Sequence, residues 1–255
     1  MTVEEVRVDV DAGVLTVTID RPAQRNAVTL AVAEGIAAAL IRLDRDPDLR
    51  VGILTGSGGT CCAGMDLKRF LAGEKAHVPG RGFGGLVEAP PRKPLVAAVE
   101  GWALGGGFEL VLACDLVIAG VGARFGLPEA TRGLIARAGG AVRLPRRLPR
   151  AIALELLLAG TPLTAERAAQ HGLVNRVVED GTALTAARAL AATVAANAPL
   201  AVAAAKALVV DSADWPEAEL LTRSAGYTEP VFASVDAQEG ARAFAERRAP
   251  RWEGR

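Results

Sequence analysis

The sequence predicts an α/β fold, with short apolar strands crowding the first half and helices filling the second. Three observations carry that expectation. Residues 6–10 and 14–19 alternate apolar and polar around Asp11-Ala12-Gly13, as a hairpin does. Brief apolar runs bounded by turn residues recur at 51–55, 94–100 and 116–119. Beyond Gly139 the spacing becomes helical, broken by a single short strand over 173–178.

The elements follow in order. Thr29 can cap a helix running to about Arg45, with apolar positions 32, 36, 40 and 43 on one stripe and Pro47 beyond its end. The strand at 51–55 ends in the loop Gly56-Ser57-Gly58-Gly59, and a short helix is expected over 66–71. Residues 72–92 are rich in glycine and proline without a period, which reads as a mobile surface loop. The strand at 94–100 leads through a glycine-rich turn into a helix ending near Cys114. No fixed-period repeat occurs, and no linker is long enough to separate domains. A core domain is nonetheless expected over 1–195, with a helical C-terminal region over 196–255.

Composition narrows the function classes. A chain of 255 residues can bury about three-quarters of its unfolded surface. Apolar residues make up 51% and aromatics only 4%, so the core must be aliphatic and alanine-rich. The 29 basic residues balance 29 acidic ones, which argues against a general binder of nucleic acid or membrane surfaces. Glu4 and Glu5 stand where a signal peptide would be basic, and the apolar stretch 151–159 is too short to span a bilayer. A cytoplasmic protein is expected. Cys61, Cys62 and Cys114 form neither a disulfide framework nor a metal-ligand spacing, so no metal is expected.

Four motifs bear on chemistry. The run from Gly56 has Cys61 where a dinucleotide fingerprint needs its third glycine, so that reading fails. A cysteine nucleophile would want a histidine base. Only His77 and His171 are present, and burial as small apolar residues is the better reading for Cys61 and Cys62. Gly105, Gly106 and Gly107 open a helix. They either expose N–H donors to an anion or oxyanion, or allow tight helix–strand packing. Glu109 and Glu129 each end a segment marked by glycine or proline, and a fold that brings them together would make an acid/base pair.

The ordered set of these segments closely resembles the crotonase superfamily, the enoyl-CoA hydratase/isomerase family. The likeness is carried by Arg21-Pro22, Arg25-Asn26-Ala27, Ile53-Leu54-Thr55-Gly56 and Cys62-Ala63-Gly64-Met65-Asp66-Leu67-Lys68. It continues through Trp102-Ala103-Leu104-Gly105-Gly106-Gly107-Phe108-Glu109 and Ala123-Arg124-Phe125-Gly126-Leu127-Pro128-Glu129. Gly139-Gly140, Leu144-Pro145-Arg146, Gly172-Leu173-Val174-Asn175 and Glu239-Gly240-Ala241 extend it over nearly the whole chain.

The resemblance implies a crotonase-type spiral of ββα units with a helical C-terminal trimerisation region, in a homotrimer or a hexamer built as a dimer of trimers. It implies hydration of an enoyl-CoA thioester, with coenzyme A entering as part of the substrate and no other cofactor. The backbone N–H groups of Met65 and Gly106 would form an oxyanion hole. Glu109 would position and activate water, and Glu129 would move a proton at C2. Coenzyme A would lie along Ala63, Gly64, Met65, Asp66, Leu67 and Lys68, with Lys68 and Arg25 near phosphates, though a solvated Arg25 fits equally.

Arg247 and Arg248 would either reach a neighbouring subunit's coenzyme or form a charged helix face. Arg137 departs from the family pattern Gly-x-x-Pro-Gly-x-Gly-Gly. It would meet a polar or acidic acyl group or point to solvent. Met65 and Phe108 would narrow the acyl pocket. The alternatives are a double-bond isomerase, a dehydratase of hydroxyacyl- or carnitinyl-CoA, and a non-catalytic acyl-CoA-binding protein.

Overall fold

The computed structural model describes residues 5–255. β1 (Val6–Asp11) and β2 (Val14–Ile19) form the expected hairpin. Its two turn residues, Ala12 and Gly13, have φ of 46° and 78°, the backbone sense that suits strand twist. α1 (Leu30–Arg45) follows, capped by Thr29, whose Oγ1 accepts from the Val32 N–H at 3.2 Å. It presents Val32, Ile36, Leu40 and Leu43 to the core, so the apolar stripe in the sequence is the buried face.

The chain continues through β3 (Val51–Gly56), α2 (Leu67–Leu71), β4 (His77–Val78), β5 (Gly82–Phe83) and β6 (Leu95–Val99). Then come β7 (Trp102–Leu104), α3 (Gly106–Leu112), β8 (Leu116–Gly120) and β9 (Arg124–Gly126). α4 (Gly140–Arg147), α5 (Arg150–Ala159), β10 (Leu163–Thr164), α6 (Ala165–Gln170) and β11 (Arg176–Val178) complete the second half of the sheets. α7 (Ala183–Ala195), α8 (Pro199–Asp211), α9 (Leu220–Phe232) and α10 (Val235–Glu246) close the chain.

Six strands form the main sheet in the order β1-β2-β3-β6-β8-β11, parallel from β2 onward. β2 and β6 are buried throughout, as parallel strands covered on both faces must be. α7 lies on one face through Ala183, Ala187 and Ala191, against Val51, Ile53, Val96 and Ile118. Alanine at each contact lets the helix come close.

A second, thinner ladder runs beside this sheet. Parallel bridges join Val28 to Met65 and Cys62 to Ala103. Ala103 of β7 then faces Phe125 of β9, and Phe125 faces Leu163 of β10. Each turn of the chain therefore leaves one strand in the main sheet and a short strand or bridge on this ladder.

Three expectations need correction. The stretch before Gly105 is a strand, Trp102–Leu104, and a second late strand exists at Leu163–Thr164. Strands of two or three residues are too short to show a period. Residues 72–92 are no surface loop either: Ala76, Leu86 and Val87 are buried in the core. A side chain at Gly84 would strike Leu110, and one at Gly85 would strike the Ala33 carbonyl. The glycines here permit close packing, which composition alone cannot distinguish from freedom.

α8 is tied to the core by Lys206, whose Nζ meets Pro91 O at 2.7 Å, Lys93 O at 3.0 Å and Asp115 Oδ2 at 2.6 Å. α8, α9 and α10 nevertheless leave Val209, Leu221, Phe232 and Phe244 largely exposed.

The loop before α1 is organised by Asn26, which is fully buried with φ of 55°. Its Nδ2 donates to the Ser57 and Thr60 carbonyls at 2.8 Å, and its Oδ1 accepts from Arg21 N–H at 2.9 Å. Asn26→Ala leaves those backbone groups unpaired and should destabilise the fold by about 3 kcal/mol. Denaturant unfolding measures this, and an unchanged midpoint would remove Asn26 from that role.

Candidate active site

The second ladder assembles the site. Because Cys62 is bridged to Ala103 and Ala103 to Phe125, the residues following each lie side by side. These are Ala63 to Met65, Leu104 to Gly106, and Gly126 to Glu129. Gly64, at φ of 92°, presses so closely that a Cβ there would sit 2.7 Å from Leu104 O and 3.1 Å from Gly106 N. Only glycine fits. The Met65 and Gly106 N–H groups are brought to one place, and neither has a hydrogen-bond partner among the described residues. Gly105, at φ of 52°, caps the start of α3.

Glu109 lies one turn into α3 and is only 3% exposed. Its Oε1 accepts from the Gly140 N–H, the first amide of α4, at 2.8 Å. Burial lifts the Glu109 carboxyl from 4.5 to about 7. The Gly140 amide opposes this, the nearby charge of Glu129 adds to it, and the Ala138 amide and Arg143 oppose it further.

Glu129 approaches from the other side. Its Oε1 lies 3.2 Å from the position a Cβ on Gly105 would occupy. Its Oε2 is buried with no partner among the described residues. Desolvation raises this carboxyl too, against the pull of its own amide and of Arg132. Two carboxyls thus converge, both biased toward the protonated form, beside two free amide donors. A buried acceptor without a partner is costly and calls for a functional reason.

The other expected residues fall into two groups. Ala63, Gly64, Met65 and Asp66 line the ladder edge, with Leu67 and Lys68 exposed beyond them. Arg25 is exposed and adjacent, since its carbonyl accepts from the Ala63 N–H at 3.0 Å. The Asp66 carboxylate is already engaged. It caps α2 at the Lys68 and Arg69 amides and pairs with Arg21 at 3.1 Å. Burial would raise its pKa, but the Arg69 amide and Arg21 outweigh this and hold it below its ordinary value.

Arg137 sits between Ala138 and the turn after Glu129, exposed and without an ion pair among the described residues. Phe108 requires correction: it is fully buried against Phe125, with ring centroids 5.4 Å apart, and does not narrow any pocket. Arg248 is committed to Glu239, at 2.6 and 2.9 Å.

The sequence reading passes over Arg143. It is half-buried, donates from Nη2 to Val87 O at 2.6 Å, and lies close enough to Glu109 to bear on its charge. The signal was a basic residue one turn after the Gly139-Gly140 pair, on the inner side of α4. The three cysteines are buried, and desolvation raises every one of their thiols.

The chain is similar to known proteins over nearly its whole length. The family model described as Enoyl-CoA hydratase/isomerase matches residues 9–255, and the chain belongs to that family. Enoyl-CoA hydratase EchA19 of Mycobacterium tuberculosis is 44% identical over 252 residues, covering 94% of this chain and 93% of that protein. Carnitinyl-CoA dehydratase of Proteus mirabilis is 43% identical over 250 residues, covering 95% of each. Among solved structures, an enoyl-CoA hydratase from Mycobacterium tuberculosis H37Rv superposes with a TM-score of 0.97 at 53% identity, over 99% of this chain and 100% of that one. The crotonase-type fold is thereby shown.

The raised Glu109 carboxyl has a consequence for stability. Its contribution is fully present below the ordinary value of 4.5 and is lost as pH rises through about 7. Glu109→Gln does not titrate, so its stability relative to wild type should improve by about 2–3 kcal/mol between pH 5 and 8. Denaturant unfolding at the two pH values reads this directly. A pH-independent difference would mean the carboxyl is not raised.

Proposed function

We propose that this protein is an enoyl-CoA hydratase, a hydro-lyase adding water across the 2,3-double bond of a trans-2-enoyl-CoA. The observation that carries the reading is the convergence of Glu109 and Glu129 beside the unpaired Met65 and Gly106 amides. In this reading the thioester carbonyl accepts from both amides. Water held by the two carboxyls adds through its oxygen to C3, and negative charge collects on the thioester oxygen. The proton released by the water stays with the carboxyl pair, and Glu129 delivers one to C2. One donor of such a hole contributes roughly 3–4 kcal/mol to the transition state.

Coenzyme A lies along 63–68, with Arg25 and Lys68 toward its phosphates; the exposure of both, and the bond from the Ala63 amide to the Arg25 carbonyl, support this. No cofactor beyond the coenzyme of the substrate is invoked. The assembly we propose is a homotrimer or a hexamer of two trimers, in the cytoplasm. Exposed Val209, Leu221, Phe232 and Phe244 on the C-terminal helices support an apolar interface there.

Dehydration of carnitinyl-CoA is the second reading, favoured by the named relatives at 41–43% identity. A carnitinyl chain carries a quaternary ammonium, and Arg137 would repel it if it lies at the acyl end. That favours a neutral or anionic enoyl chain.

The test is a panel of enoyl-CoA thioesters, including the dehydrated carnitinyl and carboxylated forms, followed by loss of the conjugated-thioester absorbance. Glu109→Gln and Glu129→Gln should each cut turnover by roughly 10²–10⁴-fold. Turnover surviving both would sink the assigned roles, and tight binding without any turnover would make this an acyl-CoA-binding protein. Arg137→Ala should weaken the preference for carboxylated chains over apolar ones; an unaltered preference would take Arg137 out of the pocket.

A further inference from the structure

The oxyanion-hole glycine has an aromatic neighbour that the catalytic reading does not use. A Cβ built on Gly106 would lie 2.5 Å from both Cε1 and Cζ of Phe83, and 3.4 Å from Cδ1. Gly106 has an ordinary helical backbone, so conformation does not demand glycine there. The Phe83 ring does. Phe83 is half-buried, packed at the margin of the main core.

The backbone that carries the ring is held in place. β5 pairs with β4, His77 opposite Phe83, and the Gly84 N–H is held by Ala76 O at 3.0 Å. The Phe83 carbonyl accepts from the Leu86 and Val87 amides, and Val87 O in turn is gripped by Arg143 at 2.6 Å. Gly84 also lies against Leu110 of α3. The segment carrying the ring is thus anchored to the helix that carries Gly106 and Glu109, and to the helix whose first amide holds Glu109.

We infer that Phe83 is a specificity-determining residue that admits enoyl chains unbranched at C2 and rejects chains carrying a substituent there. This rests on the thioester carbonyl docking at the Gly106 amide. With the carbonyl oxygen on that amide, C1 and C2 are the acyl atoms nearest the ring edge. A flat, conjugated, straight chain can lie against such an edge in van der Waals contact. A methyl group on C2 needs the volume the ring already fills, and with its backbone anchored the ring can yield that volume only by turning out of its place at Gly106.

The experiment compares wild type, Phe83→Ala and Phe83→Leu, the last keeping an apolar side chain should alanine unfold the segment. Calorimetric titration with butyryl-CoA and 2-methylbutyryl-CoA reads the pocket without any turnover. Hydration of crotonyl-CoA and 2-methylcrotonyl-CoA is then measured in parallel. Wild type should bind the unbranched thioester more tightly, and both variants should narrow the ratio by roughly tenfold or more, the usual weight of one methyl group in a fitted pocket. A ratio equal in all three proteins overturns the inference. If the binding ratio shifts but no protein hydrates either enoyl thioester, the hydratase reading falls and Phe83 keeps its role. A contact test completes the set. Gly106→Ala should unfold or block the site in the wild-type background and be relieved by Phe83→Ala; equal damage in both backgrounds counts against the contact.

Discussion

A chain of short backbone pairings, the bridges Val28 to Met65 and Cys62 to Ala103 and the three-residue pairing of β7 with β9 at Ala103 and Phe125, is what the site depends on. Each bridge is a weak interaction by itself, contributing on the order of 1 kcal/mol. Their effect is geometric. They place the ends of three successive turns of the chain at neighbouring positions, although those ends lie some twenty to forty residues apart in sequence. The main sheet supplies the rigidity and the ladder supplies the registration. Gly64 is glycine because the ladder leaves no room for a side chain, Gly105 because its φ is 52°, and at Gly106 a side chain would meet the Phe83 ring.

Two opposing pressures meet at Glu109. A carboxyl that is 3% exposed should be neutral, and an acid/base group must be able to give up its proton. The fold sets the balance with the amides of Gly140 and Ala138 and one half-buried guanidinium, enough to leave the group poised near neutrality but not locked as a carboxylate. Glu129 receives less help, and its orphaned oxygen is the least comfortable polar atom of the site. Discomfort of this kind is what binding of a reactant can relieve.

The legible parts of the sequence were those with local causes. The Thr29 cap and the stripe from Val32 to Leu43 are written in adjacent residues and match the structure, and the hairpin turn does so to within one residue, Asp11 belonging to β1. The two glutamates became readable only through the ordered motifs around them. Periodicity could not reveal β7, β9 and β10, which are too short to have any. It also cannot separate glycine used for packing from glycine used for freedom, so 72–92 reads as a loop although Leu110 and Ala33 lie against it. Phe108 and Glu109 are sequence neighbours, yet a helix turns 100° per residue. One of them faces Phe125 in the core and the other the site. Arg143 belongs to the same class: its importance lies in what is near it in space.

The cysteines have a use the chemistry of the site does not require. Cys61 and Cys62 flank the bridge to Ala103, Cys62 Sγ accepts from the Gly64 N–H at 3.4 Å, and Cys114 is sealed under α4 by Arg147 bonding its carbonyl. In the closed structure all three are shielded from solvent and poorly ionised, so they are slow to meet an oxidant or an alkylating reagent. Their rate of labelling is therefore a clock for opening. Cys61 and Cys62 time the parting of the ladder, Cys114 times the loosening of α3 from α4, and the two need not keep the same time.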